Sequence, residues 1–322
     1  MSRKSLRVEV AFPFCPNTCQ YCAMPSDYER AMLMGAYCDA LETELAQSAA
    51  DMDDYTVDAV YLGGNGCDGF CGGIASYIRA ERVCALLDRL RASFDVAEGA
   101  EVVLRALLGY VNEFKLREYR EAGVTAVEVD YHTCGTDRSR FTGRLVWPEQ
   151  ERTTVRAFRH YGMEDVGYQV LYGLPGETVE EWGRELEGVL ALGPSHLELR
   201  AFSPAGTHSE VELSNLTRVH GARSEWHTAD ASEQDAMRAA AAKLLGDAGF
   251  AEYLPGCYAL PGHERRYLRE RASGGDCLAL GAGGVSRIDG VCSRNVAGVD
   301  AYVKTGGDVT KTIEKAWEAQ KA

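Results

Sequence analysis

Short apolar runs separated by longer amphipathic ones set the tightest limit on how this chain can fold. RVEVAF (7–12), AVYLGG (59–64), EVVLRALL (101–108), TAVEVDY (125–131), DVGYQVLYGLPG (165–176) and HLELRAF (196–202) each read as a strand. Between them lie helical patterns, from about Glu29 to Gln47, Ile74 to Phe94, Glu113 to Ala122, Pro148 to Tyr161 and Glu177 to Leu192. Strand and helix alternate at least five times, which predicts βα units feeding a parallel sheet. After residue 202 the rhythm breaks into a Ser-, Thr- and His-rich stretch, followed by one strong helical pattern, ASEQDAMRAAAAKLLGDAG. A core over 1–202 and a smaller C-terminal α+β region over 203–322 are therefore expected. The 322 residues suit that division, being long for one core and short for two large domains.

Composition narrows the partners and the compartment. The hydrophobic fraction of 46% is ordinary for a globular chain. The N-terminus, MSRKSLRVEVAF, runs into Pro13 and Cys15 with no long apolar segment, and no stretch of eighteen apolar residues occurs. No secretory signal and no membrane span are expected. A formal charge of −14 argues against a nucleic-acid backbone as general partner, while leaving room for a local basic pocket. Eleven cysteines in a chain of this length, closely spaced and without a signal, point to metal ligation in a reducing compartment rather than to disulfides. A cytoplasmic location follows as the expectation.

Within AFPFCPNTCQYCAMP (11–25), Cys15, Cys19 and Cys22 form C-x3-C-x2-C. Thiolates at such spacing are the ligands that hold iron–sulfur clusters. A zinc site would need a fourth ligand nearby, and neither a second C-x2-C nor an H-x3-H is present. Three ligands on a four-iron cluster leave one iron open to bind something other than protein. Pro16, Asn17 and Thr18 are loop formers, which argues against reading the cysteines as small buried hydrophobes at a strand end.

The loop directly after a first strand, with Tyr21 one residue before the last cysteine, resembles the radical S-adenosylmethionine enzymes. PFCPNTCQYC, YLGGNG (61–66), Gly143 and Arg144, YGLPGET (172–178), LGPSHLEL (192–199), PAGT (204–207) and LGAGGVSRIDG (280–290) together resemble the oxygen-independent coproporphyrinogen III oxidase-like branch. The resemblance covers about residues 7 to 305. It implies a 4Fe–4S cluster on Cys15, Cys19 and Cys22, with S-adenosylmethionine chelated at the open iron and cleaved to a 5′-deoxyadenosyl radical that removes a substrate hydrogen. It places Tyr21 beside the adenine, Gly63, Gly64 and Gly66 at the methionyl group, and Arg144 on the cofactor. Glycine suits such a turn because bare backbone approaches a ligand closely.

Departures from that pattern mark where the chemistry has changed. A Tyr and a His that the oxidase carries just upstream of its loop are Glu9 and Ala11 here, and alanine cannot exchange protons. A family glutamate on the third strand appears as Arg105, inverting the charge offered to a ribose or ammonium group. The Gln and Asp associated with a second S-adenosylmethionine appear as His132 and Gln169, and Cys67 replaces a threonine of the glycine turn. Glu9, His132 and Cys134 are the candidate catalytic side chains, Cys134 as a group that could quench a substrate radical. Arg105 and Gln169 join the candidate cofactor contacts. Cys67 and Cys71 are either an auxiliary metal or redox pair or two ordinary thiols, C-x3-C alone supplying too few ligands.

The expected architecture is a radical SAM partial (β/α)6 or related TIM-like barrel, with the site at the C-terminal strand ends and a C-terminal segment covering the substrate. Arg105, Arg138, Arg140, Arg144 and Arg200, on or after strand ends, suggest an anionic small molecule, tetrapyrrole-related by resemblance. Radical methylation or another natural-product step is the alternative. A haem-carrying chaperone is a second alternative, because some relatives in this branch act so; here Tyr267 stands where they have a Tyr, while their His-Asn pair and Trp do not line up and His263 sits alone in a polar loop. Cluster reduction implies a low-potential donor such as flavodoxin or ferredoxin.

Overall fold

The computed structural model of the chain describes residues 3–16, 28–64, 73–131, 148–203 and 228–318. Six strands and their crossover helices come first: β1 (Lys4–Val10), α1 (Met34–Ser48), β2 (Tyr55–Leu62), α2 (Ala80–Ser93), β3 (Val96–Ala106), α3 (Glu113–Glu121), β4 (Ala126–Tyr131), α4 (Pro148–His160), β5 (Val166–Tyr172), α5 (Val179–Leu190) and β6 (His196–Ala201). Then follow α6 (Ala231–Asp247), the hairpin β7 (Ala251–Leu254) and β8 (Cys257–Ala259), α7 (Arg266–Ala272), β9 (Cys277–Leu280), β10 (Val285–Ile288), β11 (Val291–Asn295), α8 (Val299–Thr305) and β12 (Ile313–Glu318). Strands β1 to β6 pair side by side, all parallel, in chain order. This is the expected partial (β/α)6 barrel, with strand ends within a few residues of those read from the apolar runs.

The chain after residue 202 extends both edges of that same sheet. On one side β8 pairs antiparallel with β6, and β7 lies outside it. On the other, β9 runs parallel to β1 and leads to the antiparallel β10, β11 and β12. The order is β12-β11-β10-β9-β1-β2-β3-β4-β5-β6-β8-β7, an open twelve-stranded sheet.

A period of two along the strands separates two environments. One face carries Leu6, Val8, Val10, Val60, Leu62, Leu104, Val127, Val129, Tyr168, Val170, Leu197 and Leu199, which pack against Tyr37 and Leu41 of α1, Leu86 and Leu90 of α2, and Trp182 and Leu186 of α5. The other face carries Arg7, Glu9, Arg105, Glu128, Asp130, Gln169, His196 and Glu198, all buried. Local signals fix the helix starts. Thr178 and Glu181 form a capping box on α5, Asp230 and Glu233 another on α6, and Asn112 caps α3.

Candidate active site at the strand ends

β1 leaves the sheet toward Cys15, whose thiol is partly exposed. Its exit is tied to three neighbouring segments. The Gly63 N–H donates to the Val10 carbonyl at 2.8 Å, the Ala11 N–H to the Leu280 carbonyl at 2.9 Å, and the Ile74 N–H to the Phe14 carbonyl at 3.3 Å. Beside this exit the β2 turn is built so that only glycine fits. Gly63 has φ +117°, and a Cβ there would stand 2.6 Å from the Arg105 Cβ; one on Gly64 would stand 2.2 Å from Glu9 Oε2. A thiol at the mouth of β1 beside a side-chain-free turn fits a cluster and the methionyl group expected there, thiolate sulfur being the donor that iron–sulfur centres take.

A ladder of polar side chains crosses the inner face at the same end of the sheet. Arg105 donates to Asp130 Oδ1 through Nη2 at 2.7 Å and Nε at 3.1 Å. The same Nη2 reaches Gln169 Oε1 at 3.1 Å, and Gln169 Nε2 donates to Glu198 Oε2 at 2.8 Å. Arg200 closes the ladder with Nε on Glu198 Oε1 at 2.8 Å. Arg105, Asp130, Gln169 and Glu198 are each under a tenth exposed, whereas 38% of the Arg200 side chain is open. Burial works against the Arg200 charge, but Glu198 more than restores it, so its pKa lies above the ordinary guanidinium value. The charge inversion at Arg105 is thus answered by Asp130 on the next strand.

A second polar group fills the sheet's inner face nearer the N-terminal strand ends, and α7 brings it there. Tyr267 stacks on Tyr61 with ring centres 4.2 Å apart. Glu101 accepts the N–H groups of Arg266 at 3.1 Å and Tyr267 at 3.0 Å, capping the helix. Arg265 Nε donates to Glu128 Oε1 at 2.5 Å and Nη1 lies 2.9 Å from Asp165. Burial alone would raise the Glu128 pKa, but Arg265 and His196 outweigh it and hold the carboxyl below its usual range. A Cβ on Gly167 would meet this carboxylate at 2.4 Å, which explains a bare position near the start of β5. At the far end of α7, Arg271 Nη2 donates to both oxygens of Glu9 at 3.0 and 2.9 Å, and Arg7 Nε donates to Glu9 Oε1 at 2.7 Å.

Each expected residue can now be placed. Glu9 is fully buried under Gly64, its carboxylate engaged by two guanidiniums, so it supports the glycine turn and anchors α7. Arg105 and Gln169 lie together in the ladder below that turn. Cys19, Tyr21, Cys22, Gly66, Cys67, Cys71, His132, Cys134, Arg138, Arg140, Gly143 and Arg144 lie outside the described residues. Of the segment expected to cover the substrate, 204–227 also lies outside them, and the first turn of α7 sits at the opposite end, against Asp58 and Glu101. His263 is at that opposite end too, its Nδ1 3.1 Å from Asp165 just before β5. The motif-based reading did not reach Asp130, Glu198, Glu128, Arg265 or Arg271. For the three acids the signal is alternation: RVEV, VEVD and HLELR place a charge at every second residue of strands that parallel packing buries on both faces.

Among the described residues no helix is long and apolar enough to cross a membrane. The radical SAM superfamily matches residues 10–187. The haem chaperone HemW of Escherichia coli (strain K12) is 23% identical over 288 residues, covering 88% of this chain and 70% of that protein. HemW of Bacillus subtilis (strain 168) is 22% identical over 298 residues, covering 91% and 74%. The same organism's oxygen-independent coproporphyrinogen-III oxidase-like protein HemZ is 24% identical over 207 residues, covering 62% and 40%. Among solved structures, the coproporphyrinogen III oxidase HemN of Escherichia coli superposes with a TM-score of 0.79 at 17% identity, over 99% of this chain and 73% of that one, a likeness of fold. The family match takes in the cysteine motif, the glycine turn and Arg105, Asp130 and Gln169 of the ladder, and the chain belongs to the radical SAM superfamily and is similar to its coproporphyrinogen oxidase-like branch.

Proposed function

We propose that this chain is a radical S-adenosylmethionine enzyme acting on an anionic organic substrate, tetrapyrrole-related by family. The observation that carries the reading is the ladder from Asp130 to Arg200, oriented by its own hydrogen bonds at the end of the sheet where Cys15 and the glycine turn meet. Cys15, Cys19 and Cys22 would hold a 4Fe–4S cluster. When bound, that cluster and S-adenosylmethionine supply a 5′-deoxyadenosyl radical able to take a substrate hydrogen. Backbone at Gly63, Gly64 and Gly66 would receive the methionyl group, with Tyr21 and Arg144 on the rest of the cofactor. Arg105, neutralised by Asp130, offers directed N–H donors rather than net positive charge, and Gln169 extends them. Arg200, the exposed end of the ladder, is the group on this face best placed to meet a substrate carboxylate. Glu9 supports the turn, which leaves His132 and Cys134 as the candidates for proton or hydrogen transfer. A low-potential donor such as flavodoxin or ferredoxin would reduce the cluster, in the cytoplasm.

Anaerobically reconstituted protein with dithionite should form 5′-deoxyadenosine from S-adenosylmethionine, and the Cys15→Ala variant should not. Accompanying S-adenosylhomocysteine would redirect the reading to methyl transfer. The names of the curated relatives favour a second reading, a haem chaperone. A Soret band on haem titration, with little 5′-deoxyadenosine, would establish that reading instead.

A further inference from the structure

The glycine-rich turn after β9, LGAGG (280–284), has no part in the ladder, yet it is bound tightly to the exit of β1. One link is backbone, the Ala11 N–H on the Leu280 carbonyl at 2.9 Å; the other is a single hydroxyl. Tyr37 of α1, fully buried, donates to the Ala11 carbonyl at 3.0 Å and accepts the Ala282 N–H at 2.9 Å. Its ring packs edge-on against Phe14, with centres 5.1 Å apart. Ala11 and Phe14 lie four residues and one residue before Cys15. Gly281 has φ +95°, and a Cβ there would fall 2.4 Å from the Tyr37 hydroxyl, so the turn must be bare for the hydroxyl to reach both partners.

Behind Tyr37 stands Glu44, also buried. It accepts the Gly281 N–H at 2.8 Å, the Tyr302 hydroxyl at 2.5 Å and Asn295 Nδ2 at 2.6 Å. Asn295 Nδ2 reaches the Gly281 carbonyl as well, at 3.0 Å. The turn is therefore held twice, by Glu44 to the C-terminal elements and by Tyr37 to the thiol loop. Of these two side chains only Tyr37 bonds the exit of β1, where it reinforces the backbone bond from Ala11 to Leu280.

We propose that Tyr37 is a positioning residue for the iron–sulfur loop: its hydroxyl locks the chain leading into Cys15 onto the C-terminal glycine turn, so that residues after 276 help to keep the cluster bound. This rests on reading Cys15 as a cluster ligand. Groups that hold a ligand's backbone in place commonly govern metal retention. Tyr302 supplies an internal control: its ring packs on Tyr37 with centres 4.9 Å apart, but its equally buried hydroxyl donates to Glu44 instead of the exit of β1.

The test uses full-length wild type, Tyr37→Phe and Tyr302→Phe, each reconstituted without oxygen. Iron release to a chelator is followed by loss of cluster absorbance, and stability by urea unfolding of the cluster-free proteins. Both variants should lose comparable urea resistance, but only Tyr37→Phe should release iron faster, by roughly tenfold for an unmade buried hydrogen bond. Equal release from the two variants, or no change in Tyr37→Phe, overturns the proposal. Should Tyr37→Phe not fold, wild type decides by amide exchange: cluster insertion must slow exchange in 279–284 together with 11–16. Protection confined to 11–16 overturns it. A wild type that takes up no iron defeats the reading of Cys15 itself, and the proposal with it.

Discussion

Replacing Arg105 separates what the buried ion pair does for folding from what it does for a ligand. Arg105 and Asp130 are each 7% exposed and meet at 2.7 Å. Arg105→Met leaves the Asp130 carboxylate buried without its guanidinium and deprives Gln169 Oε1 of a donor. Removing one partner of a buried pair costs about 3–5 kcal/mol, and the remaining exposure places this case near the lower figure. At an m-value of about 3 kcal/mol/M, a loss of about 3 kcal/mol lowers the urea midpoint by roughly 1 M. The double variant Arg105→Met with Asp130→Leu removes both charges and should recover all but about 1 kcal/mol, since apolar replacements of similar volume are close to neutral. On the proposed ligand role of Arg105, formation of 5′-deoxyadenosine should fall in the single variant and stay low in the double. A double variant that regains both stability and product formation refutes the ligand role. A single variant as stable as wild type refutes the energetic reasoning.

Gly63→Ala should weaken S-adenosylmethionine binding at least tenfold by equilibrium dialysis, because its Cβ must displace the Arg105 stem; Gly99→Ala, with φ +77° and nothing within 4 Å, should cost only backbone strain of about 1 kcal/mol. Glu9→Gln removes the carboxylate charge that bridges Arg7 and Arg271 and should cost about 3 kcal/mol in urea unfolding, with earlier proteolysis around α7. The pH profile should carry opposed contributions from two buried carboxyls. Glu128, held below its ordinary 4.5, contributes stability that is fully present above that pH and is lost as pH falls through the folded value. Glu44, raised by burial, contributes stability present below 4.5 and lost as pH rises through its folded value. Urea midpoints across pH should show Glu44→Gln removing part of the decline above 4.5 and leaving the drop below it.

The fold was legible because its signal is collective. Each βα unit repeats the same change from strand run to helical period, so an error of a few residues at one end leaves the topology intact. What the apolar pattern could not convey is where the chain after residue 202 goes. The strands β8 and β9 are three and four residues long, and their partners β6 and β1 lie at opposite edges of the six-stranded core. Pairings of that span are chosen by which sheet edge is open, and no local propensity encodes it. The plug made by α7 was hidden for a related reason. Seven residues reading RYLRERA look like a solvated helix and only Tyr267 and Leu268 are buried; what docks the helix is the carboxylates on β1 and β3, with one on β4 for Arg265 just before it.

The candidate site shows what is missed when positions are read singly. Arg105 in place of an acid reads as a reversal of field at the cofactor. With Asp130 on the neighbouring strand and Glu198 paired to Arg200, the described ladder holds two guanidiniums and two carboxylates, and its formal charge is zero. A neutral, internally bonded surface gains little from a ligand's net charge and much from the match of donors to acceptors, because each ladder group displaced from its partner must find an equivalent bond. Selectivity at these strand ends should therefore follow the geometry of a ligand's oxygen atoms. An esterified substrate, which keeps acceptor oxygens but loses its charge, should bind measurably less well only where it meets Arg200, the one rung open to solvent. If esterification abolishes binding to wild type and to Arg200→Gln alike, charge recognition lies elsewhere and the ladder is a support rather than a reading surface.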